Sequence, residues 1–143
     1  AMAQCLGDRE RMVRATLVNT RGFYSEYGAV DEERVGALEA ALTVVGDEDS
    51  IERARLLIQL AAELTFVAPV EQRSALATEA EAIARRLSDP NTLLWVLGIA
   101  ESCIGDPRAL AERVAKGEEI LAKVRRARAT LEKEKAAAEA AAA

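Results

Sequence analysis

Carboxylates are the side chains of this chain that could do acid–base chemistry, because its 143 residues include no histidine. Histidine is the commonest general base and a common zinc ligand, so the familiar hydrolase and zinc-site arrangements are excluded. Glu63 and Glu101 could form a pair of carboxylates with separated pKa values. The alternative is that each glutamate bonds an arginine, such as Arg14 or Arg55. We therefore predict a protein that is not an enzyme and uses no metal or cofactor.

Two charged stretches resemble ion-binding sites in composition alone. Residues 47–52 are rich in carboxylates but lack the spacing and central glycine of a calcium loop, so we expect them to complement the dipole of a helix N-terminus. Residues 123–128 are basic, yet the net charge of the chain is −5. This charge disfavours nucleic acid and makes a solvated helix face the expected role. No phosphate-binding Gly-x-x-x-x-Gly-Lys-Ser/Thr loop occurs in the sequence.

Polar and aromatic residues at helix positions indicate binding rather than catalysis. Stacked helical repeats bind through concave surfaces, and we expect the first helix of each repeat to line such a groove. Tyr24 and Trp95 could also be core residues. The expected partner is a protein or peptide, or a neighbouring domain of the same polypeptide. The predicted partner-binding residues are Asn19, Tyr24, Gln59, Glu63, Trp95 and Glu101.

The elements that would position these residues recur along the chain. Three apolar runs begin at a leucine, have a small residue five positions later and follow an acidic turn, at intervals of about 40 residues. The small residue permits a close crossing with the partner helix, or it reflects drift among small residues. The three pairs are Leu17 with Gly22, Leu56 with Ala61 and Leu93 with Gly98. Each repeat holds two helices, which predicts an all-α fold of three antiparallel hairpins stacked as a tetratricopeptide-like right-handed superhelix.

Start and stop signals divide the repeats into helices. Asp31 is a predicted N-cap, and the Asp-Pro pairs at 89–90 and 106–107 each combine an N-cap with a proline at the first helical position. Gly46 ends the second helix, and Pro69 fits the first turn of the fourth. The third helix has two apolar faces and the fifth is apolar nearly all round, so we expect the fifth to be the most buried. The predicted helices cover about residues 8–28, 31–45, 50–67, 69–87, 93–104 and 106 onward.

The last helix differs from the others because its pattern runs to the end of the chain. Its length is expected to be near 57 Å at about 1.5 Å per residue. Apolar positions at spacings of four and three form a heptad seam that is interrupted at Gly117 and Arg128. The seam leaves three roles open for this helix: packing on the preceding hairpin, packing on a following repeat, or formation of a coiled-coil homodimer. The predicted oligomerisation residues are Leu110, Val114, Leu121, Val124 and Leu131.

Three segments carry a resemblance to a known class of protein. They read Arg-Ala-Arg-Leu-Leu at 53–57, Leu-Ala-Ala-Glu-Leu at 60–64 and Ala-Glu-Ala-Ile-Ala-Arg-Arg-Leu-Ser-Asp-Pro at 80–90. Over about residues 5–110 the chain resembles the tetratricopeptide-like region of large bacterial signalling ATPases and LuxR-type transcriptional regulators, including actinobacterial ones. The resemblance implies that this region senses or transmits a signal between a nucleotide-binding module and an output domain.

Composition favours a helical protein in the cytoplasm. Half of the residues are apolar and only 3% are aromatic, which favours helices over sheets. No stretch approaches the roughly 20 apolar residues of a membrane span, and no signal peptide is evident. The predicted organisation is helical repeats at 5–105, a long charged helix at 106–135 and an Ala-rich tail at 136–143 from which no function is inferred.

These observations together predict a non-catalytic protein-protein interaction or regulatory scaffold, belonging to a bacterial signal-transduction or transcriptional regulator. Two alternatives remain open at this point. One is a domain that senses a small effector between its hairpins, and the other is a structural module that oligomerises through the last helix.

Overall fold

A computed structural model describes residues 9–18, 30–103 and 110–141. Within these ranges every regular element is a helix and no strand occurs, which confirms the all-α prediction. By its internal contacts the chain divides into two units, residues 1–106 and 107–143. The helices are α1 (Arg9–Val18), α2 (Glu32–Val45), α3 (Ile51–Glu63), α4 (Val70–Leu87), α5 (Pro90–Cys103) and α6 (Leu110–Ala141), with a 3₁₀ turn at Leu64–Phe66.

Side-chain caps begin three of these helices. Asp31, Ser50 and Asp89 each accept a hydrogen bond from the backbone N–H three residues later, at N···O distances of 3.0, 3.1 and 2.9 Å. Such bonds satisfy donors that have no partner inside the helix. The predicted caps Asp31 and Asp89 are thereby confirmed, and Ser50 is a third. Pro69 occupies the position just before α4 rather than its first turn.

The predicted stop at Gly46 is also confirmed. Gly46 follows α2 with a φ of 79°, a conformation that costs glycine little, and its N–H donates to the Leu42 carbonyl at 3.0 Å. Residues 46–50, five in all, connect α2 to α3. The predicted start at Asp106-Pro107 lies outside the described residues.

The centre of the first unit is α3, which packs against α1, α2, α4 and α5. Ala54 and residues 56–61 are all buried, so both apolar faces of α3 are covered as predicted. The prediction that the fifth helix is the most buried is wrong. Helix α5 packs on α3 and α4, and it leaves Trp95 47% exposed.

The small residues of the repeated pattern do not share one role. Ala61 is fully buried in α3, whereas Gly98 is exposed on α5. A Cβ atom added at Gly98 would meet nothing within 4 Å. Among the residues that the structure describes, no neighbouring atom comes that close to Gly98, so a close helix crossing is not seen there. Gly22 lies outside the described residues.

The pairing of the helices agrees with the sequence in part. Helix α1 packs against α2, and α3 packs against α4. Helix α5 contacts both α3 and α4. The pairing of α5 with α6, the antiparallel hairpins and the tetratricopeptide-like superhelix stay predictions.

Helix α6 belongs to the second unit and is described by itself. It has 32 residues, which gives a length of about 48 Å. None of the helices in the described ranges is both long enough and apolar enough to cross a bilayer.

Candidate functional site

A cleft open to solvent separates α1 from the beginning of α3. It has a volume of about 630 Å³, and Val45 and residues 48–50 line one side of it. We call it the α1–α3 cleft. Its position follows from the local sequence, because Gly46 ends α2 and Ser50 caps α3, so the short connection must turn beside α1. The sequence predicts a groove along the first helices of the repeats, and α1 and α3 are two of these.

The apolar wall of the cleft consists of Val13, Leu17, Val18 and Val45. Val13 is buried in the core cluster, and Leu17 and Val45 pack at the edge of that cluster. Val18, by contrast, is 78% exposed. The wall therefore joins the core to the surface, and exposed apolar surface of this kind is common at binding sites.

Arginines of the cleft differ in whether their donors are used. The Nη2 of Arg9 donates to the Val45 carbonyl at 2.7 Å. Arg14 is exposed and makes no hydrogen bond or ion pair with the described part of the chain. The Nε of Arg55 is buried and has no hydrogen-bond partner among the same residues. Arg14 therefore keeps donors for a ligand or water, whereas the Nε of Arg55 is buried without a partner.

Carboxylates also line the cleft, and one of them is already paired. Asp49 accepts two hydrogen bonds from Arg86 of α4, at 2.5 and 2.8 Å. These bonds hold the pKa of the Asp49 carboxyl below its ordinary value of 3.8. Glu10, Glu48 and Glu52 are exposed carboxylates along the rim. The cleft thus combines an apolar wall with a rim of both charges.

Two predicted groove residues, Gln59 and Glu63, lie in an internal polar network instead of the cleft. The side chain of Arg34 is only 7% exposed, and its Nε forms an ion pair with Glu63. Its Nη2 donates to the Gln59 side-chain oxygen at 3.0 Å, and the Gln59 amide donates to the Leu17 carbonyl at 3.4 Å. The network thus connects α1, α2 and α3. Gln59 is buried, so its amide faces protein rather than an open groove.

The ion pair also bears on the proposed carboxylate pair. Glu63 is bound by Arg34, so the arginine alternative describes this residue, although the arginine is neither Arg14 nor Arg55. Glu101 is half-buried on α5. The Glu63 carboxylate is thus occupied by a guanidinium from α2.

The remaining predicted groove residues are divided between α5 and undescribed parts of the chain. Trp95 is half-exposed on α5, so the core alternative does not describe it. Trp95 and Glu101 do not line the α1–α3 cleft. Asn19 and Tyr24 lie outside the described residues. Binding of a partner by these residues stays a prediction.

Sequence reasoning overlooked Arg34 and Val18, although both had a signal. Arg34 precedes Leu38 by four residues and Ala41 by seven, so it lies on the apolar face of α2. A cation on that face needs a buried partner. Val18 is apolar but lies off the stripe through Val13 and Leu17. An apolar residue off the core stripe is a candidate for surface contact.

The predicted oligomerisation residues lie on α6. Val114, Leu121, Val124 and Leu131 are all exposed there. Leu110 is the first residue of the helix, and its side chain is outside the description.

Two of the four acidic residues at 47–52 pair with arginines. Asp47 lies 3.3 Å from the Nη1 of Arg53, and Asp49 is bound by Arg86. In the ranges that the structure describes, no three histidine, cysteine, aspartate or glutamate side chains come together as a metal site.

Comparison with known proteins found no matching family, no matching curated protein and no matching solved structure. The resemblance to tetratricopeptide-like regulator regions therefore stays a prediction.

Proposed function

We propose that the first unit is a non-catalytic protein-interaction module that binds a peptide segment in the α1–α3 cleft. The observation that carries the proposal is the exposed Val18 beside Arg14, a cation without a partner in the described chain. The two residues line the same cleft. An apolar contact and an unused charge side by side are the elements of a peptide-recognition surface.

Size and shape support a peptide as the ligand. The cleft volume of about 630 Å³ is in the range of small-ligand pockets, but the cleft is partly open to solvent rather than enclosed. An open cleft buries only one side of its ligand, so a chain that continues beyond it is a better fit than an enclosed metabolite. A segment with apolar residues facing Val18 fits the apolar wall.

Charge specifies the peptide further. Arg14 and Arg55 can donate to a carboxylate, and arginine does so with two parallel bonds. The acidic rim residues Glu10, Glu48 and Glu52 disfavour a strongly acidic ligand. The expected ligand therefore has one acidic side chain beside apolar residues, rather than a run of acids.

The wider setting follows from the resemblance. Regions of this kind lie between other domains in bacterial signalling ATPases and LuxR-type regulators, so we propose a segment of a neighbouring domain or of a regulatory partner as the natural ligand. Binding or release of that segment then transmits a signal without chemistry in this module.

Selection of peptide ligands tests the proposal directly. A displayed library of random 12-residue peptides is selected on the wild-type chain, and selected peptides are measured by fluorescence anisotropy. We expect Val18→Asp combined with Arg14→Glu to weaken binding at least about tenfold, because two central contacts are lost. Thermal unfolding should be nearly unchanged, since both side chains are exposed.

A matched control separates the cleft from the surface predicted by sequence. Trp95→Ala removes an exposed aromatic residue on α5 that does not line the cleft. We expect it to leave peptide affinity unchanged. Peptides that respond to Trp95→Ala but not to the cleft variant would contradict the proposal, as would a library that yields no binder.

A further inference from the structure

Helix α6 carries a row of exposed apolar side chains that suits a partner helix. Val114, Leu121, Val124 and Leu131 have between 45 and 66% of their surface exposed. Their spacings of seven, three and seven place them at the a and d positions of successive heptads. Gly117 and Arg128 occupy the two seam positions between them. We call these six residues the α6 seam.

The α6 seam can pair with a second copy of itself that runs in the opposite direction. If two copies run antiparallel with Leu121 facing Val124 of the partner, Val114 faces Leu131 of the partner. The same register sets Gly117 opposite Arg128. The smallest seam residue thereby faces the largest, which leaves space for the arginine stem, and the Arg128 charge is already paired with Glu132 in its own helix at 2.9 Å.

Flanking charges are complementary in this register as well. In an antiparallel pair, the residues that directly follow the d positions of the two helices face each other. Glu118 follows Gly117, and Arg125 follows Val124. Glu118 of one copy therefore faces Arg125 of the partner copy. Neither residue makes a hydrogen bond or ion pair within the described chain. Each contact occurs twice because the pair has two-fold symmetry.

Other arrangements set like charges against each other. Shifting the antiparallel register by one heptad brings Glu118 against its own copy in one direction, or Arg125 against its own copy in the other. A parallel pair sets Arg128 against Arg128 inside the seam. Like charges at these positions oppose association, so the charge pattern selects one register.

The part of α6 that overlaps with the partner helix ends where the Ala-rich tail begins. In the selected register the first residue of α6, Leu110, lies opposite Lys135 of the partner. The overlap therefore covers residues 110–135, about 39 Å at 1.5 Å per residue. It ends where the Ala-rich tail begins at Ala136.

We propose that two copies of this chain form an antiparallel homodimer through the α6 seam, with Glu118 paired to Arg125 of the partner. The proposal is separate from peptide binding in the α1–α3 cleft, which lies in the other unit.

A charge exchange in the full chain tests the register. Sedimentation equilibrium from about 1 to 500 µM should show a dimer of the wild type, which Glu118→Arg or Arg125→Glu alone weakens about tenfold. The combination of both should restore affinity. Glu118→Arg makes an acidic chain less negative, so general repulsion alone would predict the opposite change. Arg126→Glu, the same charge change outside the seam and its flanks, is the control and should have no effect.

Disulfide crosslinking tests the orientation. In a Cys5→Ser, Cys103→Ser background, Val114→Cys with Leu131→Cys should form a covalent dimer. Val114→Cys alone should not, because antiparallel copies hold these residues about 25 Å apart, far beyond disulfide reach. Circular dichroism confirms that each variant is helical. A monomeric wild type at every concentration, a dimer crosslinked through Val114→Cys alone, or a charge exchange without restored affinity would each overturn the proposal.

Discussion

The guanidinium of Arg34 joins α2 to two side chains of α3 at the centre of the internal polar network. It donates to Gln59 and pairs with Glu63, both on α3, and Gln59 continues to the α1 backbone. A buried charge is tolerated only when its hydrogen bonds are satisfied. The three residues therefore fix how α1 and α2 sit on α3, next to the cleft.

Removing one partner of the buried ion pair should be costly. We expect Glu63→Ala to lower the free energy of unfolding by about 2 kcal/mol, less than for a fully buried pair because the Glu63 side chain is 18% exposed. Urea denaturation measures the change. Glu79→Ala is the matched control, since Glu79 pairs with Arg53 at the surface and should cost less than about 1 kcal/mol. Equal losses for the two variants would show that the network is not specially stabilising.

At this scale the sequence predicted the apolar interior better than the polar site. Leu38, Ala41 and Ile83 are buried where periodicity places them, because apolar burial depends on spacing along one helix. The partner of Glu63 depends on which residue of another helix lies opposite, and spacing along one helix does not determine that. Gln59 was therefore expected in a groove and is buried instead.

Arginine bridges hold the connection between α2 and α3 against α4. Arg86 of α4 binds Asp49, and Arg53 of α3 donates both to the Gly46 carbonyl at 2.6 Å and to Glu79 of α4. The connection forms one side of the α1–α3 cleft, so its position decides the shape of the proposed binding surface. The ion pairs of Arg86 with Asp49 and of Arg53 with Glu79 lie at the surface, and their value for stability is correspondingly modest.

Titration of Asp49 should report whether this bridge forms. Hydrogen bonds from Arg86 lower the pKa of Asp49 below 3.8, so the bridge stabilises the fold above that pH and its contribution is lost as the pH falls through the lowered value. In Arg86→Gln we expect the pKa to rise toward 3.8. A carbon-detected NMR titration of the side-chain carboxyl gives both values. An identical pKa in the two proteins would mean that the bridge is absent in solution.

Most helix boundaries could be predicted because their signals are local. Which helix is the most buried could not be predicted in this way. Asp31, Gly46 and Asp89 act within their own turn of chain, so residue type alone identifies them. How deeply α5 is buried depends on how many helices surround it. Its sequence is the most apolar, but α3 is enclosed by four neighbours and α5 packs on two of the described helices.

The molecule as a whole consists of a helical unit that carries the core and a second unit that carries the α6 seam. Every buried apolar side chain found in the described ranges lies between Val13 and Ala100. Side chains from residue 124 to 140 of α6 are all exposed. Folding of the first unit and association through α6 should therefore depend on different residues.

Truncation after Asp106 should separate these two properties. Because the buried apolar residues are retained, we expect residues 1–106 to unfold cooperatively with a midpoint within about 3 °C of the full chain. The measurement is thermal denaturation followed by circular dichroism at low micromolar concentration, where association contributes little to stability. The same fragment should remain monomeric at concentrations where the full chain is dimeric. A large fall in the midpoint would mean that the core needs residues beyond 106, and a dimeric fragment would place the self-association surface in the first unit.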